Sequence, residues 1–234
     1  MIGLLLCASL HAAAGSFDEA DHLYLRRNVS GNLEKSNSQL KSLLDSDSRN
    51  AEVWWRLGRG LERLGERQNS KKERLATYEE AKKALERSIE LNANLAEAHF
   101  FLGITLGRIG QTRGILKSLF LVGPIKREMK RTLELDPKHG GAHHVLGEML
   151  RQIPGFAGGS KKGAVRELET SVELDPKRTA HYTALAQAYL DVNDKAKARK
   201  ILEAMLEIKD PIDPGEWDDD VREARRMLGT LGEK

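Results

Sequence analysis

The sequence is poor in cysteine, proline and aromatic residues. Cys7 is the only cysteine among 234 residues, proline occurs six times, and Phe, Trp and Tyr together make up 5%. A single cysteine excludes an intrachain disulfide and a site built from several cysteines. Alanine, leucine, glutamate, lysine and arginine dominate, which favours helices over strands. The composition therefore predicts an all-α fold.

A strong charge of one sign is also lacking. Charged residues make up 31% of the chain, but the formal net charge is only +3. Nucleic-acid-binding proteins usually carry a clustered basic stripe. We interpret the basic residues of this chain as interspersed with aspartate and glutamate. We therefore expect no nucleic-acid partner.

The first residues predict export. Residues 1–14 form an apolar run that ends in the small residues Ala12-Ala13-Ala14, which is typical of a signal peptide cleaved after Ala14. The run is too short to span a membrane. It lacks an early basic residue, which leaves open a start codon further upstream, and a frayed apolar helix is the alternative. Leu6 precedes Cys7 where a lipoprotein signal needs a small residue, so we expect a periplasmic or secreted protein and disfavour a lipid anchor.

Four segments of the chain resemble one another. Each has a first helix with a large residue, a leucine, a small residue and another apolar residue at positions i, i+3, i+4 and i+7, which places them on one helical face. The small residues are spaced by 45, 44 and 39 positions. The four sets are Trp54, Leu57, Gly58 and Leu61; His99, Leu102, Gly103 and Leu106; His143, Leu146, Gly147 and Leu150; and Tyr182, Leu185, Ala186 and Tyr189.

A second helix follows each first helix. Three of the four second helices carry an alanine, Ala81, Ala164 or Ala198, and two of the four close on Glu-Leu-Asp-Pro, at Pro137 and Pro176. Proline stops a helix because it lacks the N–H group that the next turn needs. The small residue of the first helix lets the second approach closely. Repeats of this length predict a solenoid of helix pairs.

This pattern resembles the tetratricopeptide repeat over residues 51–211. The resemblance implies an all-α, superhelical solenoid of antiparallel helix pairs that binds other molecules and has no catalytic role. Residues 15–50 are expected to form a helical pair or partial repeat, and residues 212–234 a polar-faced helix that closes the end. Insertions separate paired helices at 66–77, 113–123 and 153–159.

Candidate chemical sites are few. The stretch from Gly155 to Gly163 lacks phosphate-loop spacing and is interpreted as a turn before a helix. The adjacent His143 and His144 point about 100° apart on a helix, so we expect no metal site. Asp218-Asp219-Asp220 is interpreted as the first turn of a helix, where acids are favoured. We expect no catalytic residues and no cofactor.

One candidate binding surface follows from the periodicity. The residue after each large core residue should turn toward the inner, concave face, as should residues one and two turns later. In the tetratricopeptide family this ladder lines the ligand groove. The predicted groove residues are Trp55, Arg59, Arg63, Phe100, Ile104, Arg108, His144, Glu148 and Gln187, with Thr183, Gln152 and Asp191 beside them. Arginines next to aromatic rings would suit an apolar or carboxylate-bearing small ligand or a protein segment. The alternative is that Trp55 and Phe100 only pack on a neighbouring or N-terminal helix.

The run from Ile115 to Val122 is apolar on nearly all sides. It is either part of a buried, elongated second helix, which we favour, or a surface that a partner or membrane would cover.

A narrower resemblance rests on the export signal and on the segments 125–137 and 154–162. This combination resembles the T-component proteins associated with bacterial TRAP (tripartite ATP-independent periplasmic) transporters. The same pattern resembles, more weakly, the helical domain of regulators of microtubule dynamics. The first resemblance implies an accessory of a TRAP-type uptake system that binds a periplasmic solute-binding protein or a small ligand. A general scaffold for envelope proteins is the alternative, and homo-oligomerisation is left open.

Overall fold

The structure, a computed structural model, describes residues 18–232. Every regular element of these residues is helical, as the composition predicts. The predicted signal peptide, residues 1–14, lies outside the described residues. The helices are α1 (described over 18–25), α2 (Asn32–Ser46), α3 (Ala51–Glu66), α4 (Lys71–Leu91), α5 (Ala96–Arg113), α6 (Ile115–Leu119), α7 (Val122–Leu135), α8 (Gly140–Gln152), α9 (Lys161–Leu174), α10 (Thr179–Asp191), α11 (Lys195–Leu206) and α12 (Trp217–Thr230).

The chain divides into two compact units after Thr112. In unit 1, up to Thr112, α3 packs on α4 and on α2 around a core that includes Leu40, Leu57 and Leu61. In unit 2, from Arg113 onward, each helix from α7 to α11 packs on the next, and α12 packs on α10 and α11. Helices joined by such short connections form antiparallel hairpins.

Local sequence signals fix where the helices begin and end. Asn50 caps α3 by accepting hydrogen bonds from the backbone N–H groups of Glu52 and Val53 at 3.1 and 3.3 Å. Ser70 and Glu73 form a reciprocal capping box at the start of α4, which satisfies backbone N–H groups that lack a partner within the helix. The predicted stops are confirmed, since α7 and α9 end at the leucine of Glu-Leu-Asp-Pro.

The final helix occupies the predicted end position. Its first turn contains Asp218, Asp219 and Asp220, near the partial positive charge of a helix N-terminus. Its inner side buries Ala224 and Met227 in the core of unit 2. The three aspartates therefore lie in the first turn of a helix, as the sequence indicates.

The apolar run before α7 does not extend that helix. It forms the separate short helix α6, and α7 begins only at Val122. Phe120, between the two, is 82% exposed. The favoured expectation of a buried, elongated second helix is therefore wrong at this position, because Gly114 and the turn at 120–121 interrupt the helical run and turn Phe120 to solvent.

The helix pairs meet where the first helix has a small residue. A Cβ atom built on Gly58 would lie 2.4 Å from Cγ of Leu85, and one built on Gly147 would lie 2.6 Å from Cγ of Leu168. Both distances are far below van der Waals contact, so any larger side chain would push the paired helices apart. The repeated Leu-Gly step is thus a packing requirement.

We predict that Gly58→Ala destabilises the protein by about 1–3 kcal/mol, the usual cost of overfilling a core. Gly107→Ala is the matched control, because Gly107 is also helical but nothing lies within 4 Å of the position that its Cβ would occupy. Alanine there should stabilise the helix by about 0.5–1 kcal/mol. Urea unfolding followed by circular dichroism measures both changes, and equal effects of the two variants would contradict the packing argument.

Candidate functional site

The predicted ladder residues of unit 1 lie on α3 and α5. Trp55, Arg59 and Arg63 follow one another at four-residue steps on α3, and Phe100, Ile104 and Arg108 do so on α5. Residues four apart on a helix lie on one side. We call these six residues the α3/α5 face.

Trp55 is a packing residue on this face. It is only 7% exposed, and its ring stacks on that of Phe101 with centroids 6.0 Å apart. Phe101 in turn meets Phe100 edge to face at 5.0 Å. The indole N–H of Trp55 donates to Glu52 at 2.7 Å. Of the two interpretations open for Trp55, the structure favours packing, whereas Trp54, which was expected in the helix-pair core, is only half-buried.

Helix α1 lies against α3 at Arg59. One carboxylate oxygen of Asp21 accepts a hydrogen bond from Nη2 of Arg59 at 2.5 Å, and the other accepts from Nε of Arg56 at 2.9 Å. The Arg59 guanidinium also sits 3.7 Å from the centroid of the Tyr24 ring, a cation–π geometry. Asp21, Arg56 and Arg59 form what we call the arginine clamp.

Arg63 and Arg108 belong to a second charged cluster around a buried carboxylate. Glu62 is 1% exposed, and its Oε1 accepts from Nε of Arg108 at 3.0 Å. Arg63 donates to Glu66 at 2.9 Å, and Arg108 also pairs with Glu66. Burial raises the pKa of Glu62. Burial opposes ionisation of Glu66 as well, but the Arg63 and Arg108 charges lower its pKa. This cluster joins α3 to α5 inside unit 1.

The ladder residues of unit 2 lie on α8 and α10. Glu148 accepts hydrogen bonds from Arg151 at 2.8 and 3.0 Å and from Gln152 at 2.7 Å. Arg151 also donates to Asp191 at 3.3 Å, and Asp191 accepts from Gln187 at 3.2 Å. Burial alone would raise the pKa of Glu148, but the hydrogen bonds and charge of Arg151 lower it. These residues form one continuous polar network.

The histidine of this ladder stacks on a buried histidine. The ring of His144 lies 4.9 Å from that of His181, which is 1% exposed and whose Nδ1 lies 3.0 Å from the carbonyl oxygen of Ser171. A carbonyl can only accept, so Nδ1 carries a proton. Burial, together with the nearby His144 and Arg178, lowers the pKa of His181 to about 2. His181 is thus neutral in the folded protein.

We predict that acid destabilises the protein through His181. Its pKa is lower in the folded than in the unfolded state, so its stabilising contribution is present above the unfolded value of about 6.5 and is lost as the pH falls below it. Between pH 7 and 5 the loss should approach about 2 kcal/mol. Urea unfolding at the two pH values should show this loss in the wild type and a smaller one in His181→Gln.

His22→Gln is the control for this prediction, because His22 is exposed. It should keep the full pH dependence of the wild type. An unchanged slope in His181→Gln would contradict a neutral, buried His181.

Several residues of the site were not found from the sequence. Arg56 and Asp21 complete the arginine clamp, Tyr24 lies against it, and Arg151 organises the polar network of unit 2. Arg56 and Asp21 are 35 residues apart in sequence, so no local pattern pairs them. Arg151 had a usable signal, since it lies three residues after Glu148 on one helix.

The remaining expectations concern metals and membranes. Among residues 18–232, no group of three or more His, Cys, Asp or Glu side chains is placed to hold a metal ion. No helix within the same range has both the length and the apolar character needed to cross a membrane. His143 lies 2.8 Å from Glu167, and His99 is buried with its ring Nε2 3.1 Å from the carbonyl oxygen of Ala93.

Comparison with known sequences identifies two families along the chain. The model described as "Regulator of microtubule dynamics protein 1-3" matches residues 16–153, and a tetratricopeptide repeat model matches residues 182–210. Regulator of microtubule dynamics protein 1 from Bos taurus is 30% identical over 145 residues, which cover 59% of this chain and 44% of that protein. The Mus musculus protein is 24% identical over 197 residues, which cover 77% and 63%. The chain thus spans less than two thirds of these relatives.

Solved structures resemble the fold. A thermophilic tetratricopeptide repeat protein of Thermus thermophilus aligns with a TM-score of 0.71 at 15% identity, covering 92% of this chain and 98% of that one. MamA aligns with a TM-score of 0.51 at 19% identity, covering 76% and 88%. At these identities the likeness concerns the fold alone. The predicted all-α, tetratricopeptide-type fold is confirmed.

Proposed function

The chain belongs to the regulator of microtubule dynamics protein 1-3 family, and from this premise we propose that it is a non-enzymatic binding module for a partner protein. In this proposal the partner contributes a helix with an exposed carboxylate, and this carboxylate binds to the arginine clamp on α3. The tetratricopeptide-type fold supports this proposal, because such helix pairs present side chains at regular steps along one face.

The observation that carries the proposal is the seating of α1 on α3. Asp21 places a carboxylate between Arg56 and Arg59, and Tyr24 lies beneath the guanidinium of Arg59. Hydrogen bonds between guanidinium and carboxylate groups are among the stronger ones in proteins. Helix α1 therefore provides, within the chain itself, an example of the ligand that this face accepts.

One N–H group of the arginine clamp does not donate a hydrogen bond to any described residue. Nε of Arg59 is buried and has no hydrogen-bond partner among the described residues. A guanidinium binds a carboxylate best through two parallel N–H groups, and Asp21 uses only Nη2 of Arg59. A partner carboxylate that engages both Nη2 and Nε would compete with Asp21 for the same site.

The other charged groups of the two faces support a binding role over catalysis. Glu62 and Glu148 both have shifted pKa values, as catalytic carboxylates often do. Each of them, however, accepts hydrogen bonds from an arginine, Arg108 or Arg151. Glu62 is held by Arg108 of another helix and Glu148 by Arg151 of its own helix, so both carboxylates have a structural task.

We predict that Arg56→Gln with Arg59→Gln reduces capture of a partner from extracts of the native host by about tenfold or more, since hydrogen bonds to charged groups contribute about 1.5–3 kcal/mol each. Asp21→Asn should increase capture, because it removes the competing charge and keeps the side-chain shape. Immobilised full-length chain, quantitative mass spectrometry of the bound proteins and a thermal melt of each variant measure this.

Arg222→Gln with Arg226→Gln is the matched control, since both arginines are exposed on α12 and pair with acids of that helix. The control should capture the partner as the wild type does. Equal capture by all four proteins would show that the clamp does not bind the partner.

The same experiment distinguishes two candidate partners. Recovery of tubulin would support a role like the one that the relatives' name states, regulation of microtubule dynamics. Recovery of a periplasmic solute-binding protein would support the accessory role in a TRAP-type system and the export that residues 1–14 suggest. Family membership favours the first candidate, whereas the second depends on the sequence pattern alone.

A further inference from the structure

Two phenylalanines of unit 2 project into solvent outside both ladder faces. Phe120 follows α6 and is 82% exposed, and Phe156, between α8 and α9, is 89% exposed. Exposing a large apolar side chain in water is unfavourable, and a single exposed residue needs no explanation. Two phenylalanines exposed to this degree in one unit do need one.

The topology of unit 2 brings these two residues to the same end of the helices. Helices α8 and α9 are antiparallel, because Gly147 faces Ala164 and Leu168 and the backbone N–H of Ser160 donates to the carbonyl of Leu150. Helix α7 packs on α8 and joins it through residues 136–139. The start of α7, the end of α8 and the start of α9 therefore lie together, and packed helices are about 8–10 Å apart.

The two stretches that carry these phenylalanines are positively charged. No aspartate or glutamate occurs in residues 113–127 or 149–166, which surround the two phenylalanines. Four exposed lysines of these stretches have no carboxylate partner among the described residues: Lys117, Lys126, Lys161 and Lys162. We call the two phenylalanines and these four lysines the Phe120/Phe156 edge.

We infer that the Phe120/Phe156 edge is a docking surface for membranes that contain anionic lipids. Phenyl rings on projecting turns enter the boundary between headgroups and acyl chains, where no preformed pocket is needed. Lysines beside them attract the negative headgroups and reach them through their flexible apolar stems. A protein partner would need pockets for both rings, whereas a bilayer accepts them wherever they project.

The test uses the full chain and sedimentation with lipid vesicles. The wild type should bind vesicles with about 30% phosphatidylserine in phosphatidylcholine and bind pure phosphatidylcholine weakly, and added salt should weaken binding. Phe120→Ser with Phe156→Ser should reduce binding to the anionic vesicles about tenfold or more. Replacing Lys117, Lys126, Lys161 and Lys162 with glutamine should cause a similar loss.

Matched controls replace similar residues elsewhere. Val29→Ser with Ile212→Ser removes two other exposed apolar side chains. Glutamine at Lys41, Lys138, Lys177 and Lys209 removes the same charge from other exposed sites. Both controls should bind the anionic vesicles as the wild type does, and circular dichroism melts should be alike for all variants because the changed side chains are exposed.

Three outcomes would overturn the inference. The first is a wild type that does not bind the anionic vesicles. The second is unchanged binding by the double phenylalanine variant. The third is an equal loss in the controls, which would assign binding to general charge or hydrophobicity. None of these outcomes bears on the arginine clamp, which lies in unit 1.

Discussion

The close contact between paired helices is the constraint on which the rest of this structure depends. In three pairs a small residue of the first helix, Gly58, Gly147 or Ala186, matches an Ala-x-x-x-Leu step of the second. Those steps are Ala81 and Leu85, Ala164 and Leu168, and Ala198 and Leu202, and all six side chains are fully buried. Because a Cβ atom on either glycine would overlap the facing leucine, the rotation of each first helix about its axis is fixed.

Fixing that rotation decides which side chains point away from the helix-pair contact. When Leu57 and Gly58 face α4, Arg59 and Arg63 must point to the other side of α3. The same argument places Glu148 and Gln152 opposite the α9 contact in unit 2. The charged groups then pair with what lies nearby, Arg59 with Asp21 of α1 and Glu148 with Arg151 of its own helix. The surface chemistry of these helices is therefore a consequence of how the core is packed.

The sequence was a good guide to features that depend on neighbouring residues. Helix ends at Leu135 and Leu174 follow from the Asp-Pro steps, and the acidic first turn of α12 follows from Asp218 to Asp220. These are effects of backbone hydrogen bonding and the helix dipole, which act within a turn or two.

Features that depend on contacts between distant residues could not be predicted from the sequence. The periodicity placed Trp54 inside and Trp55 outside, but Trp55 is the more buried because it stacks on Phe101. The pairing of Asp21 with Arg56 joins residues 35 apart, and only the packing of α1 on α3 creates it. The exposure of Phe120 has a local cause, the break between α6 and α7, but a continuous run of apolar residues gives no sign of that break.

The distribution of charge shows why a net charge of +3 says little about binding. The arginines of the clamp and of the two charged clusters are held by carboxylates, as Arg56, Arg108 and Arg151 are. The planar guanidinium suits such fixed pairs because its N–H groups match the two carboxylate oxygens.

Lysines such as Lys161 and Lys162 are instead exposed near Phe156 in the sequence. A flexible, strongly hydrated ammonium gains little from one fixed partner and adapts to anions whose positions vary. Acids thus neutralise the arginines that build the faces, and an almost balanced total charge is compatible with a locally basic surface in unit 2.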